Sequence, residues 1–427
     1  MRFTTTRALV AATATALSLT AAGPTTAAVA AAGTCFGLAA TVTAVPGASE
    51  VIGTAGDDVI VAVDVVVVRA LGGHDTLCLE GATWVEAGDG NDQVRSITDA
   101  DRHVVVLGSG SDYFEGSIGR DRVYAEEFDG EDPSAGSGPE NTDTVHTRGG
   151  ADRVFTGAGS QPNDDVVDLG VGDDSVTLGT APGGHLRLTG ARGRDVVAAW
   201  LPLDEPRSYA IDLTAGTAAM DGVYFAALSG FEDVFWNANR SSVSVRGTAD
   251  DNDIFVTGSA DVLAGAGNDE LTLHGDLKRV DGGPGQDQVE MLGYGDLDNV
   301  PVTYDLGRGT FTRGGEAAPF RAERLHVWAT GPRREPVTVL GSKRRDVVTV
   351  GACGADVRGA GGGDLLRSTS EQCERVVTTL RGGGGDDFLS GGDDREALIG
   401  GAGRDRAAGG SGRDLCRAEV ERQCERS

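Results

Sequence analysis

The sequence predicts an all-β solenoid of short stacked coils. Three observations carry that expectation: the glycine content, a nine-residue Gly/Asp repeat, and brief β-branched runs in register with it. The chain has 66 Gly among 427 residues, about twice the usual share of roughly 7%. Each Gly inside a helix costs about 1 kcal/mol against Ala, so a helix-rich fold is excluded. Aromatic residues make up only 5% of the chain, too few for one large globular core.

Four nonapeptides follow one another without a gap at 382–390, 391–399, 400–408 and 409–417. Gly382, Gly385 and Asp387, then Gly400, Gly403 and Asp405, then Gly409, Gly412 and Asp414, fill the fixed places of Gly-Gly-x-Gly-x-Asp-x-U-x, where U is apolar. The second unit departs from the pattern, with Asp394 at the third Gly place and Glu396 at the Asp place. Degenerate copies run upstream: Asp58, Asp75 and Asp92 recur every 17 residues, and Asp112 and Asp121 stand nine apart. Looser copies occupy 148–155, 169–176, 190–197 and 247–255. Gly267 and Asp269 are followed by Gly282, Gly285 and Asp287, with the two aspartates 18 apart. Asp346 and Asp364 are also 18 apart, although Arg344 and Arg345 weaken the first of those loops.

Between the loops lie Val59 to Val61, Val65 to Val68, Val104 to Leu107, Val337 to Leu340 and Val347 to Val350. Strands of three to five residues separated by Gly/Asp turns suit coils that share one stacked core. A disordered linker would not keep its apolar residues in register with its loops. A longer period overlies the short one, since 212–217 matches 305–310 after 93 residues. The poorly repetitive blocks 201–246 and 301–336 are expected to be plain β-coils that have lost their loops. The resulting division is 1–32, a signal peptide; 33–200, an N-terminal solenoid; 201–300 and 301–381, two long repeats; 382–417, the tandem; and 418–427, a cap. The cap segment is polar and helix-permissive, and 131–147 is expected to be an exposed loop.

The tandem resembles the haemolysin-type (RTX) calcium-binding repeat of secreted bacterial proteins. The resemblance implies a parallel β-roll or β-helix in which two nonapeptides make one turn and the apolar U residue points inward. It implies Ca²⁺ as the cofactor, held between loops one turn apart. The chemistry agrees, because Gly lets backbone carbonyls converge and Asp offers the hard oxygen that calcium selects. The expected ligand pairs are Asp387 with Asp405 and Asp269 with Asp287, with Glu396 and Asp414 a poorer third. Asp364, Asp58, Asp75 and Asp92 are expected to serve their own loops. At about 18 residues per turn the chain would form roughly 20 coils, a rod on the order of 100 Å long.

Arg2 and Arg7, the apolar stretch Ala8 to Ala22, and Ala-x-Ala cleavage options after Ala30 or Ala32 read as a secretory signal. No later segment is apolar enough to span a bilayer. Six Cys permit three disulfides, expected between nearest neighbours as Cys35–Cys78, Cys353–Cys373 and Cys416–Cys424. The last pair requires the chain between its members to fold back, because a straight helix of eight residues spans about 12 Å. A net charge of −28 repels nucleic acid and anionic membranes and attracts hard cations. The chain has neither a His-Glu-x-x-His helix nor a Gly-x-Ser-x-Gly elbow. His74 reads as a solvated loop residue. The expected function is therefore a secreted, non-catalytic calcium-binding protein with a structural, adhesive or cell-surface role, whose macromolecular partner is an extracellular glycan or cell surface. The alternative is a polysaccharide-active β-helix enzyme using paired carboxylates.

Overall fold

A computed structural model describes residues 33–81, 84–97, 103–126, 142–157, 163–179, 184–200, 206–293, 300–328, 337–369, 373 and 376–424. The expected signal peptide lies outside the described residues, as does 131–141 of the expected exposed loop; within the rest of that loop, Thr144–His146 forms a strand. Every described element is a strand, and the chain winds as a parallel β-solenoid of about 16 turns.

Each turn contributes one strand to a front face and one to a back face. Glu50–Ile52, Val67–Arg69 and Trp84–Asp89 begin the front stack, while Val42–Thr43, Val59–Val63 and Thr76–Glu80 begin the back stack. Alternation along each strand places one set of side chains inside. On the front face the inward column runs Val68, Val85, Val105, Val123 and Val154, each paired with the next coil. It continues unbroken to Leu366, Leu389 and Ala407. From Val123 onward these are U positions, and they stack inward as expected; in the first coils the U residues Ile60, Leu77 and Val94 stack on the back face. The buried apolar residues form one cluster from Ala44 to Cys416.

The blocks expected to be plain coils are different objects. Strands Ser208–Asp212, Thr217–Met220 and Val223–Ser229 form an antiparallel meander. Its last strand pairs in parallel with Leu186–Thr189, and its first pairs in parallel with Asp233–Arg246. The second block repeats this with Val302–Asp305, Thr310–Arg313 and Glu316–Arg321, inserted between Leu277–Asp281 and Val337–Leu340. The front face passes both insertions without a gap, since Val196–Trp200 pairs directly with Asp233–Arg246 and Gln288–Leu292 with Arg324–Trp328. The hexapeptide repeated 93 residues apart is the first hairpin turn of each meander. Asp212 Oδ1 accepts the Ala215 N–H and Asp305 Oδ1 accepts the Arg308 N–H. Gly216 and Gly309 close these turns at φ 68° and 67°, where a side chain would be strained.

Two meanders and several enlarged turns consume the residues that roughly 20 coils would have needed. About 16 turns at about 4.8 Å spacing give a body on the order of 75–80 Å long. All three expected disulfides are present. Between Cys416 and Cys424 the chain does fold back, through strands Leu415–Arg417 and Val420–Arg422, bringing the Cα atoms to 5.8 Å. The helix-permissive terminus is thus a last half-coil, pairing Val420–Arg422 on Arg406–Ala408.

Candidate metal centre

Each loop delivers one acid to a solenoid edge, immediately before the strand whose second residue enters the core. Where the chain passes from front to back, the acids are Asp58, Asp75, Asp92, Asp112, Asp143 and Asp165. On the opposite edge they are Asp121, Asp152, Asp174 and Asp195, and later Asp269, Asp287, Asp346, Asp364, Asp387 and Asp405. Sequence neighbours nine apart, such as Asp112 and Asp121, therefore lie on opposite edges.

Acids one turn apart are joined into ladders. The N–H of Asp58 donates to Asp75 Oδ1 at 2.7 Å, and that of Asp75 donates to Asp92 Oδ1 at 2.8 Å. Asp269 donates to Asp287 at 3.1 Å, Asp364 to Asp387 at 2.8 Å, and Asp387 to Asp405 at 3.0 Å. Glu396 donates to Asp414 at 2.9 Å. All three expected ligand pairs are thus adjacent rungs. An outer ladder runs beside this one: the His74 N–H donates to Asp57 Oδ1, and His74 Nδ1 accepts the Asn91 N–H. His74 is a structural rung rather than a merely solvated residue.

The ladder uses Oδ1 and leaves Oδ2 without a partner. Buried, unpartnered Oδ2 atoms belong to Asp75, Asp92, Asp269, Asp287, Asp364, Asp387 and Asp405, and to Asp112, Asp152, Asp174 and Asp195. Unpaired buried carboxylate oxygen is costly, and so many in line call for a cation. Burial pushes Asp75, Asp92 and Asp287 up to about 6, and Asp112 and Asp364 to about 7. Asp152 rises to about 8, again through burial. The glycines complete the cradle. A methyl group on Gly282, Gly382 or Gly400 would land on Oδ2 of Asp287, Asp387 or Asp405. On Gly285, Gly385, Gly403 or Gly412 it would land on a carbonyl oxygen of the preceding turn, and on Gly267 against the Asp250 carbonyl. Gly409 is closed by Asp414 and the Gln423 carbonyl. Carboxylates and backbone carbonyls without nitrogen or sulfur form an oxygen set that fits calcium.

Asp165 departs from this arrangement, its Oδ2 accepting the Thr156 hydroxyl, and three further rungs are closed by their own loops. Asp58 Oδ2 accepts the Thr54 N–H at 2.6 Å and the Thr54 hydroxyl at 2.9 Å, and Thr41 donates to its Oδ1. Asp346 is closed by the Ser342 N–H and hydroxyl at 2.6 and 3.0 Å. At the loop 247–255 the rung is Asn252 rather than an aspartate. Its Oδ1 accepts the Thr248 N–H at 2.8 Å, and its Nδ2 donates to the Glu232 carbonyl at 2.6 Å. In all three, Thr or Ser stands where the tandem has its second Gly. Asp58 thus lies on the expected edge with its carboxylate already satisfied. Gly116-Ser117 begins alike, with the Ser117 backbone N–H toward Asp121, but the Ser117 hydroxyl accepts the Gly119 N–H instead of closing the rung.

The nonapeptide pattern missed Asp143, Asp165, Glu232 and Glu323. A shorter signal, an acid two residues before a buried apolar residue, finds them all: Asp143 precedes Val145, and Asp165 precedes Val167. Asp143 and Asp165, with Glu126, bring carboxylate oxygens within 4.8 Å of one another.

The family model of the RTX calcium-binding nonapeptide repeat matches four times, at residues 104–129, 140–160, 378–407 and 390–418. The matched segments contain Asp112 and Asp121, Asp143 and Asp152, and the rungs Asp387, Glu396, Asp405 and Asp414. No curated protein matches the chain. Repeat match, parallel solenoid and oxygen-lined loops agree: this chain carries haemolysin-type (RTX) calcium-binding nonapeptide repeats.

Proposed function

We propose that the protein is a secreted, non-catalytic calcium-binding β-roll with a structural or adhesive role at a cell surface, folding as it binds calcium. The observation that carries this is the line of unpartnered Oδ2 atoms facing glycine-lined carbonyls. Calcium supplies positive charge there. The chain's own part is to hold one carboxylate in each successive turn by its Oδ1, so that the free oxygens meet one ion. The proposed pairs are Asp387 with Asp405, Asp269 with Asp287, Asp364 with Asp387, and Asp75 with Asp92; Glu396 with Asp414 is the weaker one. A bound ion fixes two loops at once, so its binding free energy becomes folding free energy. Three disulfides suit an oxidising compartment.

Catalysis by paired carboxylates draws no support from where the perturbed acids lie. Every aspartate that burial pushes up sits in the ladders, except Asp253, which adjoins the rung Asn252. Calorimetric titration with calcium tests the proposal. Asp405→Ala should remove about one equivalent of bound calcium, and unchanged stoichiometry would refute its assignment.

A further inference from the structure

The two long repeats have diverged in charge at one place. In the first, the closed loop Thr248 to Asn252 carries Ala249, Asp250 and Asp251. In the second, the equivalent loop Ser342 to Asp346 carries Lys343, Arg344 and Arg345. The backbone is the same in both: the Asp250 N–H donates to the Thr248 hydroxyl at 3.2 Å, and the Arg344 N–H to the Ser342 hydroxyl at 3.0 Å. The fold therefore accepts either charge, and structure alone does not require three adjacent cations. The meander turn has changed with it, since Arg308 stands where the first repeat has Ala215. Within a chain of net charge −28, residues 301–381 hold 13 Lys and Arg against 9 Asp and Glu.

These cations meet around a cleft of about 940 Å³ between the second meander and the coil beneath it, lined by Arg308, Arg321, Lys343, Arg344 and Arg345. The acids in its wall are already engaged. Asp305 faces Arg308 at 3.5 Å, Asp281 faces Arg321 at 3.8 Å, Glu323 accepts the Asp287 N–H, and Ser342 closes Asp346. Lys343, Arg344 and Arg345 are exposed and make no ion pair with a described residue.

We propose that this cleft binds an acidic glycan, a chain of uronate-type sugars whose carboxylates are taken by Arg308, Lys343, Arg344 and Arg345. Guanidinium forks match carboxylates in two-point contacts. The volume suits two or three sugar rings. Duplex nucleic acid, with one charge per about 1.7 Å of axis, is repelled more strongly by the surrounding acidic surface, and the oligonucleotide arm of the test covers single strands. The inference deepens the adhesive reading above by naming its partner and the residues that hold it.

The test is calorimetric binding of a galacturonate trisaccharide to the calcium-loaded full chain, beside neutral galactotriose, inorganic phosphate and a single-stranded oligonucleotide. The variant K343A/R344D/R345D installs the first repeat's own loop, so the backbone has a precedent for it. We expect the acidic trisaccharide to bind, galactotriose not to, and the variant to lose at least tenfold in affinity while its calcium stoichiometry is unchanged. Arg308→Ala should weaken binding as well. Equal affinity of variant and parent, or tighter binding of phosphate or the oligonucleotide, would overturn the proposal. So would loss of calcium from the variant, because the loop would then act through the fold. Calcium binding without trisaccharide binding would leave the β-roll reading intact and remove only this one.

Discussion

Replacing one ladder carboxylate by its amide should reverse the sign of its effect on stability when calcium is added. Asp287→Asn keeps the Oδ1 that accepts the Asp269 N–H at 3.1 Å. It exchanges the buried, unpartnered Oδ2 for an amide that donates. Asn252 shows how such a rung satisfies itself, donating to the Glu232 carbonyl at 2.6 Å and the Thr248 hydroxyl at 2.9 Å. An unsatisfied buried polar atom costs about 1–3 kcal/mol, so in chelator at pH 8 the variant should gain about 1 kcal/mol. In calcium it forfeits a site. With a dissociation constant of about 10⁻⁴ M, 10 mM calcium stabilises by about 2.7 kcal/mol per site. The net loss is then roughly 1–2 kcal/mol, a melting shift of about 1–4 °C for a chain of this length. Scanning calorimetry in EGTA and in 10 mM calcium reads both signs. The reciprocal double variant T248G/N252D, which removes the closing hydroxyl as well, should fall in chelator and add bound calcium. If Asp287→Asn lowers the melting temperature equally in both buffers, the carboxylate is only a structural acceptor and the reasoning fails.

Other consequences are sharper in one condition than another. Because burial raises the folded-state values of Asp75, Asp92, Asp112, Asp152 and Asp364 above 3.8, the folded chain binds more protons than the unfolded one between about pH 4 and 8. Calcium-free protein should therefore be most stable at acid pH and lose stability as pH rises through 6–8. Thermal melts that climb with pH in EGTA would contradict this. Gly403→Ala would drive a methyl group into the Gly385 carbonyl at φ 145°, costing about 2–3 kcal/mol. Gly315→Ala, with open space around it at φ 93°, should cost only about 1–2 kcal/mol by the same melts. In hydrogen exchange, 382–417 should lose protection in chelator while 51–96 keeps it; equal protection of 382–417 in both conditions would mean that calcium does not fold it.

The N-terminal coils have an aliphatic interior of their own, with Ile60, Leu77, Leu79, Val85 and Val94 fully enclosed, and the Cys35–Cys78 disulfide holds them. The tandem buries only Leu389, Leu398, Ala407 and Cys416. Phe388 and Leu415, which count as apolar in the sequence, are 39% and 37% exposed. Alternation explains this, because only the second residue after each acid turns inward. The calcium dependence proposed for the tandem therefore rests on a thinner core than its composition suggests.

That same alternation marks how far the sequence could be read. Periodic Asp and Gly disclosed the solenoid and which acids stand one turn apart, and pairing each Cys with its nearest neighbour found the disulfide partners. The meanders escaped because a strand's residues do not record whether its partner runs parallel or antiparallel; the repeated turn at Asp212 and Asp305 was visible, its pairing was not. The closed loops escaped for a smaller reason. Thr54, Thr248 and Ser342 look like tolerated replacements of a second Gly, yet each carries a hydroxyl that takes the place proposed for the ion. At these three loops the residue in the second Gly place lets the chain satisfy the rung itself. The rungs closed by their own loops fall at the first coils and just after each meander, where the regular stack must start or restart. A coil that needs no ion there can order before calcium arrives, and open rungs can then fill outward from it. The double variant T248G/N252D, which opens the rung after the first meander, should raise the calcium concentration at which 253–293 gains hydrogen-exchange protection. No change in that midpoint would show that the closed rung does not seed its neighbours.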